Sequence, residues 1–548
     1  MASVKFPRKE FEKHINLTKD IEEQISLFGT HLESLNEKEI ELEILPNRPD
    51  LLSMQGFLRA FRSYLNKEPG LKQYKINKPE KDYKVRIDSS VKDIRPYTAC
   101  AIVKNLEFND EKIKEIIDLQ EKLHATIGRN RKKVAIGIYP LEKIKLPIKY
   151  QALSPDKIKF TPLESDKEMT AQQILKRHPT GKEYAHLIEN LDKYPLFTDS
   201  DNKVLSMPPI INSHEIGKVT NETKEIFIEC SGSDFQTLKK TLNIIVTTLA
   251  DLGGKIYSLE LEYSKSKEIT PNFAPEKRKI SLENANKLLG LNLKEKDLEK
   301  LLPRMGYNYK NGRVEIPAWR TDILHEVDII EDIAIAYGYN SFIPQISQVA
   351  TIGSESLKSR IKTKLSEILI GLGLIETSAY HLIKKEEIEK SGNSHDFIEL
   401  ENSKTEYKFL RPNLLIPALR ILSENKDADY PQKLFEIGTV FSQDKQDKTE
   451  TGIQETENLI IIVSPANFTE MKQILNHLTK MLNLSYILKE AINKDLIEGR
   501  TAQILINNKP IGYLGDIYPK TLNAWGIKMP VAVIEISLEE IFSLLQQN

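Results

Sequence analysis

Between Pro317 and Tyr339 the sequence reads PAWRTDILHEVDIIEDIAIAYGY, and Asp322, Glu326, Asp328, Glu331 and Asp332 fall within eleven residues. Asp328, Glu331 and Asp332 are spaced i, i+3, i+4, so a helix puts all three on one face. Carboxylates crowded in this way need solvent, basic partners or a hard divalent cation. Mg²⁺ prefers oxygen ligands and keeps several of its waters, which suits such a face. Asp322 lies about 240° around an ideal helix from Asp328. It joins the group only from the turn that precedes the helix. The competing expectation is a solvated acidic face, with Arg320 and a neighbouring chain supplying the positive charge. Ile329, Ile330, Ile333 and Ile335 mark the other side of the helix as core.

Few other residues offer chemistry. Cys100 and Cys230 are the only cysteines, each alone, so zinc spacing and a disulfide framework are absent. Cys230 sits in a strand-like run without a clear histidine partner, which argues against a covalent nucleophile. The densest basic cluster is RNRKK, Arg129–Lys133, with Lys122, Lys143, Lys145 and Lys149 nearby. Its plain alternative is a solvated loop. His178 and His186 are eight residues apart, which does not match a helical zinc pair.

The elements that must hold these residues follow from pattern. The chain has 548 residues, 40% apolar and 29% charged, which suggests three or four soluble domains at about 150 residues each. Net charge is −1, so no global field draws in nucleic acid and any RNA contact is local. No apolar run of about 18 residues is present, so nothing is expected to span a membrane. The start MASVKFPRKEFEKHIN lacks a signal core, and the expected home is the cytoplasm. Residues 1–85 read as an N-terminal α+β domain in which Asn47 or Asp50 caps a helix and Pro49 sits in its first turn. Its tail, 66–85, reads as a polar linker. Residues 86–267 mix strands and helices as an α+β domain. Residues 268–345 form a compact helix-helix-strand-helix unit that ends on the acidic helix. Residues 346–548 read as an antiparallel sheet with helices.

IPAWRTDILHEVDIIEDIAIAYGY closely resembles the signature of the B5 domain of phenylalanine–tRNA ligase β subunits. LPNRPDLLSMQGFLRAF, KLHATIGRNRKKVAIGIYPLEKIKLPIKY, LKRHPTGKEYAHLIE, MPPIINSHEIGKVTNETKEIFIECSGSD and FLRPNLLIPALRIL extend the resemblance over most of the chain. The length, without an added OB-fold or C-terminal RNA-binding module, resembles the archaeal/eukaryotic branch.

The resemblance implies a multidomain α+β protein. It comprises a B3/B4 editing module, a helical-bundle-like B5 unit and a class II synthetase-like antiparallel sheet domain without an active site. It implies an α₂β₂ heterotetramer in which the α subunit binds ATP and attaches phenylalanine to phenylalanine tRNA. No residue of this chain is then catalytic for aminoacylation. No Gly-rich strand ending in arginine occurs between 350 and 548, and Arg411 and Arg420 lack an ATP-binding context. The family's Mg²⁺ site, shared with the α subunit, falls on Asp322, Asp328, Glu331 and Asp332.

Editing has a physical motive. A pocket shaped for phenylalanine rejects tyrosine by only about a hundredfold. A second site can accept the hydroxyl with polar groups and hydrolyse the mischarged ester. Met207–Asp234 sets polar residues beside apolar Pro208, Pro209 and Ile210, and Asn212, Ser213, Glu229 and Asp234 are its candidates. Its plain alternative is a β-meander with polar turns. His214 is tempting as a base, although a lone histidine is more often at the surface. Water positioned by RNA and backbone would also serve. RNA contact is expected through Arg129, Arg131, Lys132 and Lys133. The alternative function is a tRNA-binding assembly subunit with an inactive pocket.

Overall fold

The computed structural model describes residues 2–80, 82–347, 349–391, 397–401, 403–445 and 449–546. The chain divides into two compact units, Met1–Gln345 and Ile346–Asn548.

The first unit begins with an antiparallel sheet in which Glu39–Ile44 lies between Ala2–Pro7 and His31–Leu35. The helix Met54–Tyr64 covers it. Its cap is Ser53, whose hydroxyl accepts from the Gly56 N–H at 3.1 Å. Asn47 and Asp50 are not the cap. Asp50 instead forks with Arg48 at 2.9 Å, and Pro49 opens a separate short turn. Gly56 has to be glycine, because a Cβ there would overlap the Asp50 carbonyl. Phe57, Phe61 and Tyr64 share a helix face and meet Phe28 at ring separations of 5.3 to 6.0 Å.

The stretch 66–85, expected as a linker, is woven into this unit. Tyr74 donates to Asp251 at 2.8 Å and meets Trp319 edge-on at 5.4 Å. Ile76–Asn77 pairs with Lys255–Tyr257, and Lys84–Ile87 is an inner strand of a larger sheet. Its few apolar residues each find a partner far away in sequence, which local composition does not reveal.

Two sheets build the middle of the unit. One runs Ile76–Asn77, Lys255–Tyr257, Tyr97–Lys104, Ile226–Gly232, Val134–Pro140. The other has seven strands, from Ile211–Asn212 and Val204–Met207 at one end to Lys267–Thr270 at the other. Ile226–Gly232 is buried at every position. Because side chains alternate along a strand, Ile226, Ile228 and Cys230 pack with Leu238, Leu242 and Leu249 of the helix Phe235–Asp251. Phe227 points the other way, into the cluster of Tyr139, Tyr150 and Phe197. Glu229 shares the side of Phe227.

The unit expected over 268–345, helix-helix-strand-helix in order, has its three helices and two further strands. The helices Leu282–Leu289, Glu295–Arg304 and Glu326–Tyr337 pack beside a three-stranded antiparallel sheet of Glu276–Lys279, Arg313–Ile316 and Asn308–Lys310. One apolar cluster runs from Val4 through Ile228 to Ala336.

The second unit is a seven-stranded sheet, antiparallel except where Ile375–Glu376 joins Gln432–Gln443. The helices Leu357–Gly371 and Phe468–Met481 cover one face, and Leu415–Glu424 covers the other. Among the described residues no helix is long and apolar enough to cross a membrane.

Candidate functional site

Glu229 is 1% exposed and stands in the middle of a strand, opposite Cys100 on one side and Gly137 on the other. Its Oε1 accepts from the Tyr139 hydroxyl at 3.2 Å and from the Ser206 hydroxyl at 3.4 Å. Its Oε2 is buried and, among the described residues, has no hydrogen-bond partner within 3.5 Å. The carboxyl lines a cavity of about 180 Å³ shared with Ser206, Pro208, Pro209, Ile210, Asn212, Ile136 and His124. Burial pushes Glu229 up to about 8, against the opposing pull of the Tyr139 hydrogen bond and the Arg95 charge. At neutral pH it is therefore a neutral acid that both donates and accepts.

Tyr139 holds the polar end together. Its hydroxyl is 3.2 Å from the Asn212 side-chain oxygen as well as from Glu229. Gly137 makes room for this, since a Cβ would overlap the Tyr139 hydroxyl and crowd Glu229. His124, 4% exposed, accepts from the Ile136 N–H through Nε2 at 2.8 Å and meets Glu121 through Nδ1 at 3.2 Å. Burial lowers its pKa, so the ring is neutral with both nitrogens engaged. It shapes the wall and has no lone pair left for a base.

Of the four residues expected to form this pocket, the structure brings Asn212 and Glu229 together. Ser213 is buried but outside the lining, its N–H bonded to the Leu205 carbonyl at 2.8 Å. Asp234 caps the helix Phe235–Asp251 through the Thr237 N–H at 2.6 Å, which lowers its pKa. An Asp at a strand-to-helix junction is a capping signal, and Ser-Asp-Phe-Gln carried it. His214 is exposed. Tyr139, Ser206, His124 and Arg131 were not singled out for the pocket. They come from the helix Asp110–Ala125, the turn after it and strand positions outside Met207–Asp234, and only the fold unites them.

The basic loop is divided. Arg129, Asn130 and Arg131 all have left-handed φ, at 48°, 51° and 65°. The buried Arg95 pins the Arg131 and Lys132 carbonyls at 3.2 and 3.3 Å and the Ser231 carbonyl at 2.6 Å. The turn sends Arg131 inward, where it donates to the Ile210 carbonyl at 2.9 Å and lies 4.3 Å over the Tyr184 ring. Arg129 and Lys132 stay exposed, and Lys133 is half-buried.

The acidic helix behaves differently. Asp322 takes a fork from Arg320 at 2.8 and 2.7 Å, and the same guanidinium reaches Asp332 at 2.8 Å. Tyr307 also donates to Asp332. Burial disfavours the Asp322 charge, but Arg320 and then Arg48 outweigh it and hold the carboxyl below its usual range. Asp328 accepts from the N–H groups of Leu324 and His325 at 2.7 and 2.6 Å, at the helix start. Glu331 is exposed. Among the described residues no group of three or more acidic, histidine or cysteine side chains is placed to hold a metal ion. The expected cluster is resolved by Arg320, which i, i+3, i+4 spacing on the helix leaves out.

In the second unit Arg411 is 1% exposed and pairs with Glu436 at 2.6 Å, while Arg420 pairs with Glu387 at 3.0 Å. Both arginines are spent on the fold.

Three family profiles match the chain: a B3/4 domain over residues 81–246, a tRNA synthetase B5 domain over 278–339, and a phenylalanyl tRNA synthetase beta chain CLM domain over 343–538. A phenylalanine–tRNA ligase beta subunit of Thermococcus sibiricus is 40% identical, with 90% of each chain covered. That of Archaeoglobus fulgidus is 35% identical over 97% of each. A crystal structure of an N-terminal fragment of the phenylalanyl-tRNA synthetase beta subunit from Pyrococcus horikoshii superposes with a TM-score of 0.58 at 38% identity. It covers 61% of this chain and 99% of the fragment.

Proposed function

The chain belongs to the phenylalanine–tRNA ligase beta-subunit family and so serves phenylalanyl-tRNA synthesis, and from that premise we propose that its Glu229 cavity clears tyrosine from mischarged tRNA. The observation that carries this reading is the buried, unpartnered Oε2 of Glu229 in a small cavity with an apolar wall. Pro208, Pro209 and Ile210 take the ring of an aryl side chain. The neutral carboxyl exchanges hydrogen bonds with a phenolic hydroxyl. A phenylalanine ring in the same place leaves that carboxyl unsatisfied, and sites of this kind reject the analogue lacking the hydroxyl most strongly.

The ester then lies toward the cavity mouth. Water forms a bond to its carbonyl carbon, the tetrahedral intermediate collapses, the bond to the ribose oxygen breaks, and a proton of the attacking water passes to that oxygen. Tyrosine and intact tRNA leave. Because both nitrogens of His124 are engaged, the water is positioned rather than deprotonated by a side-chain base. Arg129, Lys132 and Lys133 contact the RNA backbone, which makes binding weaken with salt.

Adenylate formation and ATP belong to a partner α subunit in an α₂β₂ assembly, and the second unit packs against it without a catalytic site. This agrees with the internal pairing of Arg411 and Arg420. Asp322, Asp328, Glu331 and Asp332 are the residues that would hold a Mg²⁺ ion shared with that partner, and within this chain Arg320 holds Asp322 and Asp332.

The test is deacylation of tyrosyl-tRNA of the phenylalanine type by the purified α/β complex. The wild-type complex accelerates it, and Glu229→Ala does not, while phenylalanine charging is unchanged. Equal deacylation by both proteins would remove the cavity from the reaction. No acceleration by the wild type would favour an assembly subunit with an inactive pocket.

A further inference from the structure

A second cavity in the first unit, about 900 Å³, is lined by Ser3, Val4, Lys5, Phe6 and Pro7 in succession. Successive side chains of a strand point to opposite faces, and Val4 and Phe6 are in the core at 1% and 4% exposure. A cavity that touches five consecutive residues therefore meets the strand along its edge. Ala2–Pro7 is the edge of its sheet, paired only with Glu39–Ile44 among the described residues.

Register identifies the groups on that edge. The Arg8 N–H bonds to the Lys38 carbonyl at 2.8 Å, and Pro7 stands opposite Glu39. Antiparallel pairs alternate between bonded and non-bonded, so Phe6, Val4 and Ala2 bond to the neighbouring strand. Ser3 and Lys5 turn their N–H and C=O groups toward the cavity. Such a row is a template for an added strand.

The opposite wall is the helix Asp110–Ala125, which brings Lys112, Lys114 and Lys122 to the cavity as well as Glu111, Glu115 and Asp118. Around the whole cavity, carboxylates outnumber lysines seven to five. Glu115 accepts from the Gln55 N–H at 3.3 Å. Burial, and the adjacent Asp118 charge, push it up to about 7 against the pull of that bond. A cation between Glu115 and Asp118 would relieve the crowding.

We propose that this cleft binds an extended peptide segment, which adds a strand beside Ser3 and Lys5 and places a lysine or arginine side chain against Glu115 and Asp118.

The test is fluorescence anisotropy on the full chain with three labelled probes: an alternating Lys-Val hexapeptide, the matching Glu-Val hexapeptide, and a single-stranded oligonucleotide. The Lys-Val peptide is expected to bind saturably and more tightly than the other two. Lys5→Pro removes one outward N–H without touching the sheet ladder, a change edge strands accept. It should weaken the Lys-Val peptide about tenfold, the scale of one lost hydrogen bond. Ser3→Pro is the second variant if Lys5→Pro fails to fold. Glu115→Gln with Asp118→Asn should erase the preference for Lys-Val over Glu-Val. No saturable peptide binding, a preference for Glu-Val or the oligonucleotide, or affinity unchanged by both proline variants would each overturn the proposal.

Discussion

Two buried carboxylate sites in the same unit met opposite fates. On the acidic helix, Asp322 and Asp332 share one guanidinium, and Asp322 is held ionised. In the strand Ile226–Gly232, a single Glu229 has one oxygen without a partner and is held neutral. The first arrangement is paired within the chain. The second leaves a donor and acceptor directed at nothing, which the fold tolerates at a cost. Several acids close in sequence are thus answered from within the chain, while one acid in the middle of a strand is left unanswered by the packing.

The contrast can be broken in order of effect. Arg320→Met should destabilise the chain by about 3–5 kcal/mol, because it leaves two buried charges uncompensated. Chemical denaturation measures this, and a loss below 1 kcal/mol would mean that solvent or another cation already serves Asp322 and Asp332. Next, Gly137→Ala should cost about 1–3 kcal/mol by overpacking and should impair tyrosyl-tRNA deacylation by displacing the Tyr139 hydroxyl. Deacylation at the wild-type rate would show that Tyr139 is not needed to set Glu229. The mildest change is Asp328→Asn, which keeps a capping oxygen and loses a charge at the helix start. About 0.3–1 kcal/mol is expected, and a larger loss would reinstate a role for that carboxylate beyond the cap.

Acidity gives the comparison opposite signs. Glu229 moves up from an ordinary value of 4.5 to about 8. Between those values the unfolded chain has released a proton that the folded chain keeps, so stability falls as pH rises through this window. Glu229→Gln should remove that slope, and its melting temperature should gain on the wild type from pH 5 to pH 8. Asp322 is lowered below 3.8, so its contribution is present above that value and fades as pH falls through the folded value. Asp322→Asn should therefore converge on the wild type in strong acid. Parallel pH profiles for the two variants would erase the distinction.

How much of this was legible in sequence depended on whether the partners lay close along the chain. The helix Glu326–Tyr337 and its apolar side followed from spacing, and so did the strand that bears Glu229. The cap at Ser53 was missed because Asn47 and Asp50 compete for the same signal, and only the Arg48 fork decides between them. Asn212 and Glu229 stood out as polar groups near an apolar wall. Tyr139 and His124 did not, since they reach the cavity from elements 73 and 88 residues before Asn212. Arg131 looked like its basic neighbours until three left-handed residues turned it inward. Backbone twist of that kind leaves no mark in charge pattern.

The stretch 66–85 bears on how this protein can be cut. The Gly70 N–H bonds to the Pro303 carbonyl at 2.7 Å, Tyr74 rests on Trp319, and Ile76–Asn77 completes a sheet. Severing the backbone there would strip a seam from three places at once. A fragment meant to retain the Glu229 cavity should therefore run uninterrupted to about residue 345, and pieces cut inside the first unit, at residue 85 or 267, should precipitate rather than fold.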